Sequence, residues 1–209
     1  MSDAVAWGDL PHTIRYVSLL SNGPPTSRTR RTEAAILAAT RALLAEGGVA
    51  GLTIEGVAAR SGVAKTTIYR RWRDKDELAM AVLVDATEAT RPPPDVGDTR
   101  QELLTFLRTA TRIITENGVL AGLVSEIATR PELARTYRSR LVVVRLREVG
   151  EIVARGVERG DLRPDTSVRL AHEMLVGPRL YRLLFSGAPL DRRHASALVE
   201  AVMTAFAPM

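Results

Sequence analysis

The sequence predicts an all-α chain, and three observations carry that prediction. Apolar residues recur at spacings of three and four, no stretch alternates with the period of two that a half-buried strand needs, and Gly and Pro clusters fall between the periodic runs. The length of 209 residues, at about 100 to 200 residues per domain, suits one large domain or a small one joined to a medium one.

Taken in order, the stretch Met1 to Pro25 ends in Ser21-Asn22-Gly23-Pro24-Pro25, which punctuates rather than continues structure. Residues 1–27 therefore read as an arm. From Thr32, Ile36, Ala39, Leu43 and Leu44 keep helical spacing until Gly47-Gly48 stops the run. A second helix spans Ile54 to Ser61, with Thr53 placed to cap it and Glu55 in its first turn. Gly62 permits a sharp turn with positive φ, Val63 anchors it, and a short helix follows from Lys65 to Trp72. Its inner face is Ile68 and Trp72; its outer face shows Thr66, Thr67, Tyr69, Arg70 and Arg73. An amphipathic run from Lys75 to Thr90 ends at Arg91-Pro92-Pro93-Pro94, where prolines forbid continuation. The boundaries that follow are 28–74 for the small domain, 75–91 for a connecting helix and 92–209 for a second domain. The second domain carries helical patterns over Thr99 to Glu116, Val119 to Thr129, Pro131 to Arg159, Asp165 to Leu184 and Leu190 to Phe206. Pro178 removes a helical hydrogen bond and predicts a kink or break.

Charge is distributed unevenly. The chain carries a net +5, but Ser27 to Lys75 alone holds ten basic residues against four acids, leaving the remainder at −1. A polyanion partner confined to one segment accounts for this, and an Arg-rich solvated surface is the other reading. Absent cysteine excludes disulfides, thiolate metal sites and thiol nucleophiles. His12, His172 and His194 are far apart and no hydrolase, zinc or phosphate-loop motif occurs, so neither catalysis nor a metal or cofactor is expected. No run of 18 apolar residues predicts a membrane span, and a cytoplasmic address is the default.

The segment Leu52 to Leu78 has the form of a helix-turn-helix: periodic helix, glycine turn, and a second helix opening on Lys-Thr-Thr, small polar residues suited to base edges and phosphates. It resembles the DNA-binding domain of the tetracycline-repressor (TetR) family of transcriptional regulators through Thr53, Val57-Ala58, Gly62-Val63, Thr67, Tyr69, Trp72, Lys75 and Leu78. The match covers about 45 residues from Thr32. Trp72 stands where that family more often has phenylalanine, and Gly56 puts a helix-weakening residue in the first motif helix. The resemblance implies an N-terminal three-helix DNA-binding domain followed by a C-terminal helical bundle for ligand binding and dimerisation. It implies a ligand-responsive homodimeric repressor on an inverted-repeat operator; an activator or a protein-sensing regulator of the same fold is the alternative, and a small-molecule-binding helical enzyme the remotest one.

Carried over residue by residue, the resemblance places Thr66 and Thr67 near bases, Tyr69 against a phosphate or thymine methyl, Thr53 on a phosphate and Lys75 on the DNA backbone. Lys65, Arg73 and Arg70 join them from their exposed, basic character, Arg70 as a fork for guanine or a plain phosphate contact. Arg28, Arg30 and Arg31 read first as a solvated charge run and second as a minor-groove arm. For the small-molecule effector, of unreadable class, the pocket candidates are Phe106, Arg112, Ile113, Glu126, Tyr137, His172 and Tyr181, with ordinary core packing as the competing reading of the apolar ones. The last two helices carry more apolar surface than one face needs, and Val176, Leu180, Leu183, Leu198, Val202 and Phe206 are the candidates for pairing with a second copy.

Overall fold

The computed structural model describes residues 27–90, 93–115 and 119–208, and among them every regular element is a helix. The arm expected over residues 1–27 lies outside this description apart from Ser27, the first residue of α1. The elements are α1 (Ser27–Gly51), α2 (Ile54–Ser61), α3 (Lys65–Tyr69), α4 (Lys75–Glu88), α5 (Thr99–Thr115), α6 (Val119–Thr129), α7 (Pro131–Thr136), α8 (Val143–Glu158), α9 (Val168–Tyr181) and α10 (Arg192–Ala205). Two π-helical turns, Tyr137–Val142 and Arg182–Ser186, join α7 to α8 and extend α9.

Several boundaries differ from the sequence expectation. Gly48 does interrupt α1, at φ 60° and ψ −165°, but helical turns resume to Gly51. The continuous helix expected from Pro131 to Arg159 is divided, because the Val143 amide bonds the Arg138 carbonyl five residues back and so widens the turn. The helix expected from Asp165 starts only at Val168, where the Ser167 hydroxyl accepts from the Leu170 amide at 3.3 Å. Pro178 does not break α9; the helix runs through it and widens one turn later, into Arg182–Ser186. Arg30 and Arg31, considered as an arm, stand exposed in the first turns of α1.

Burial forms two cores. The first joins Ile36, Leu44, Ile54, Val57, Ile68, Trp72, Leu78 and Leu83 of α1–α4 to Val119, Leu120, Leu123, Leu133 and Leu141. The second gathers Leu103, Phe106 and Leu107 of α5, Val149 and Ile152 of α8, Ala171 and Leu175 of α9, Val199 and Val202 of α10, and Phe206 just past its end. The small domain thus shares its core with α6 and α7. Gly122 makes that junction close: a Cβ there would stand 2.8 Å from the Val49 side chain. Helix α1 has the length and apolarity of a membrane span, but Ile36, Leu37, Ala39 and Leu44 are spent on the first core.

Candidate nucleic-acid interface

Thr53 occupies the N-cap of α2 in an extended conformation, its hydroxyl accepting from the Gly56 amide at 3.0 Å. The helix ends at Gly62, whose φ of 69° is the left-handed turn glycine tolerates, and whose amide bonds the Ala58 carbonyl at 3.0 Å. Lys65 then opens α3. This helix stops at Tyr69, shorter than the Lys65 to Trp72 span expected; the chain continues in tighter turn bonds, Arg71 amide to Ile68 carbonyl at 2.9 Å, that redirect it into α4.

The short helix is sharply two-faced. Ile68 is fully buried and Trp72 nearly so, whereas Tyr69 is 50% exposed and Thr66 and Arg70 are exposed, with Thr67 half-exposed between them. A large aromatic left in solvent is unusual for a packed domain and places an amphipathic ring where a partner can cover it.

The basic residues divide by partner. Lys65 pairs with Glu55 at 2.9 Å, Arg73 with Glu77, Arg71 with Glu33 at 2.7 Å and Arg60 with Glu46 at 2.7 Å. Arg30, Arg31 and Arg70 have no acid partner among the described residues. Lys75, expected on the DNA backbone, donates its ammonium to the Val49 carbonyl at 3.0 Å, satisfying the end of α1 beyond its kink at Gly48.

A carboxylate cluster ties this domain to the bundle. Asp74 caps α4 by accepting from the Asp76 and Glu77 amides at 3.0 and 2.9 Å, and its other oxygen takes Arg130 at 2.7 Å. Arg130, between α6 and α7, also reaches Asp76 at 3.1 Å and Glu132 at 3.5 Å. Burial by itself would raise the Asp74 carboxyl, but the two amides and the Arg130 guanidinium outweigh it and hold the group below its ordinary value. Sequence reasoning missed this clamp; an Asp three residues before Glu77 at a helix start was the signal available for the cap, and none marked Arg130.

The seven pocket candidates do not converge. Phe106 and Ile113 are sealed in the protein's interior, with Phe106 edge-on to His172 at 6.4 Å between ring centroids. Burial pushes the His172 imidazole below its usual value. Tyr137 packs half-buried on the first core, and Glu126 stands 4.0 Å from Arg130. Tyr181, expected to line a pocket, is instead 61% exposed and stacked on Phe185 at 5.7 Å. Arg112 alone of the seven borders a described cleft, one of about 580 Å³ between α5 and α10 that Arg108, Thr111 and Arg192 also line.

The pairing candidates also need correction. Val202 and Phe206 are buried at 0% and 3% within the second core, because α10 turns that face onto α5 and α9. They have no surface left for a second copy. Val176 and Leu198 lie half-buried beside the same core, Leu180 packs on the first, and Leu183 is half-buried on the turn after α9. The large apolar side chains that face solvent here are Leu170, Tyr181 and Phe185, at a spacing that keeps them on one side of α9 and its π-helical extension.

Comparison with known proteins agrees with this architecture. Residues 36–82 match the family model described as bacterial regulatory proteins, tetR family, and residues 93–202 match the tetracyclin repressor-like C-terminal domain. The chain is 30% identical over 181 residues to the uncharacterized HTH-type transcriptional regulator YdeS of Bacillus subtilis, covering 86% of this chain and 90% of that one. It is 29% identical over 182 residues to the DNA-binding transcriptional repressor TetR of Mycobacteroides abscessus, covering 85% and 94%. Among solved structures, the TetR family transcription regulator SCO0332 superposes with a TM-score of 0.72 at 35% identity, over 85% of this chain and all of that one. The chain belongs to the TetR family of DNA-binding transcriptional regulators.

Proposed function

We propose that the protein is a ligand-responsive homodimeric repressor that reads an inverted-repeat operator with α3. The observation that carries this reading is the two-faced segment of α3 and the turn after it, which buries Ile68 and Trp72 while presenting Thr66, Tyr69 and Arg70 to solvent. In the bound state Thr66 and Thr67 approach base edges, Tyr69 a phosphate or thymine methyl, Thr53 a phosphate, and Arg70 a guanine or phosphate. Lys65 and Arg73 reach phosphates by exchanging Glu55 and Glu77 for DNA, and Lys75 contributes as it leaves Val49. A second copy covers Leu170, Tyr181 and Phe185, setting the two recognition helices about 34–36 Å or a multiple apart. An effector in the α5–α10 bundle favours a state in which α4 has shifted and that spacing is lost.

Fluorescence anisotropy tests this reading, using the DNA upstream of the protein's own gene against unrelated DNA at two salt concentrations. Affinity for the first about a thousandfold or more above the second supports it. Equal, strongly salt-dependent binding to both refutes operator recognition at that site.

A further inference from the structure

Helix α9 contains a buried cation that nothing among the described residues neutralises. Arg179 lies one turn beyond Leu175 of the second core and next to Leu180, which packs on the first; its residue is 2% exposed. Its Nε and Nη2 have neither a hydrogen-bond partner nor solvent contact. In a planar guanidinium these two atoms point their hydrogens the same way, forming the side-on edge that takes both oxygens of a carboxylate. In the first turn of α10, His194 likewise has its Nε2 buried and unpartnered. Burial, then the charges of Arg182 and Arg179, push this imidazole below its ordinary value. Asp191 is nearby, but its Oδ1 is engaged in capping α10 through the His194 amide at 2.8 Å.

Other sheltered arginines in the fold are answered by acids: Arg145 by Glu148 at 2.6 Å, Arg155 by Glu102 at 2.6 Å and Arg130 by Asp74. For Arg179 burial is the cause that lowers its pKa, to about 10, and no acid offsets it; the group is protonated at neutral pH all the same. A buried charge without a counter-charge is a large standing penalty, and a ligand anion removes it. We propose that Arg179 is the anion-recognition point of an effector site whose ligand carries a carboxylate on an otherwise apolar body. The fork matches the two oxygens of a carboxylate, and Leu175 and Leu180, which adjoin Arg179 along α9 and belong to the two cores, suit an apolar remainder. A π-helical turn, Arg182–Ser186, follows directly on this end of α9.

This inference names the effector class for the ligand-responsive reading and rests on it, yet anion binding is measured without DNA, so the two fail separately. The experiment follows thermal melting and calorimetric titration of the full chain with octanoate, acetate, 1-octanol and inorganic phosphate. Octanoate is expected to raise Tm saturably and acetate to do so more weakly, while 1-octanol has no effect. Arg179→Lys, which keeps the charge and loses the fork, should weaken octanoate binding at least tenfold. Arg179→Met should abolish it and raise the Tm of the ligand-free protein, since an unpaired buried charge has been removed. A structural arginine behaves oppositely: a lower ligand-free Tm in Arg179→Met overturns the proposal. So does octanoate binding that survives both substitutions, the absence of any saturable carboxylate effect, or protection by phosphate alone.

Discussion

Tyr69 and Trp72 are three residues apart and face opposite ways, which makes them the sharpest pair of probes for the interface. Tyr69→Ala or Thr67→Ala should weaken operator binding by about 1–3 kcal/mol while leaving the melting temperature nearly unchanged. Trp72→Ala removes a large side chain from the first core and should cost about 3–5 kcal/mol of stability, enough to unfold the small domain. Anisotropy and thermal melts on the same preparations separate the two effects, and intact affinity in Tyr69→Ala would remove that ring from the interface. Asp74 offers a pH test. Because its folded pKa is depressed, its stabilisation is present above the ordinary aspartate value of about 3.9 and is lost as pH falls through the lower folded value. Melts between pH 7 and pH 3 should therefore show an acid-side loss that is shallower in Asp74→Asn.

At the level of elements, the junction between α6 and the small domain is where bundle and recognition helix are joined. Arg130 holds the N-cap of α4, and Gly122 lets α6 lie against Val49. Gly122→Ala should push the helices apart and cost about 1–3 kcal/mol through overpacking, read as a lower Tm; Val49→Ala removes both γ-methyls but should recover only part of it, because the Val49 Cβ also stands 2.8 Å from the added carbon. Most helices were legible beforehand because periodicity and turn residues agree: α2 and α6 begin and end where spacing, Thr53 and Gly62 place them. The π-helical turns were not, since a widened turn follows from packing and leaves no period of its own in Tyr137–Val142 or Arg182–Ser186. The recognition face was legible because its polar opening and apolar inner residues lie within one short segment. Arg130 was not, because its partners Asp74 and Asp76 are more than fifty residues away. Val202 and Phe206 were assigned to the wrong surface for a related reason: an apolar stripe says that a face is covered, and only the packing of α10 on α5 and α9 says by what.

For the whole molecule, the proposed inverted-repeat reading requires two copies held at a fixed separation, and the exposed side of α9 is the surface proposed to hold them. Leu170, Tyr181 and Phe185 sit there in solvent, with Phe185 75% exposed and stacked on Tyr181. A single copy that leaves such residues uncovered loses the hydrophobic gain their burial would bring. Phe185 contributes to neither core, so Phe185→Asp should spare the fold of one copy and act on pairing. Sedimentation at micromolar concentration is expected to give a dimer for the natural sequence and a monomer for Phe185→Asp, with similar melting of secondary structure in both at that concentration apart from the dimer's concentration-dependent gain. The monomeric variant retains every residue of α3, so each half-site contact survives while the second is lost. Operator affinity should consequently fall by tenfold or more, the advantage of a tethered second contact being about 10²–10⁴-fold, and the preference for two half-sites over one should vanish. A variant that stays dimeric would move the interface off this face of α9, and a natural sequence that sediments as a monomer would leave the inverted repeat without a physical basis.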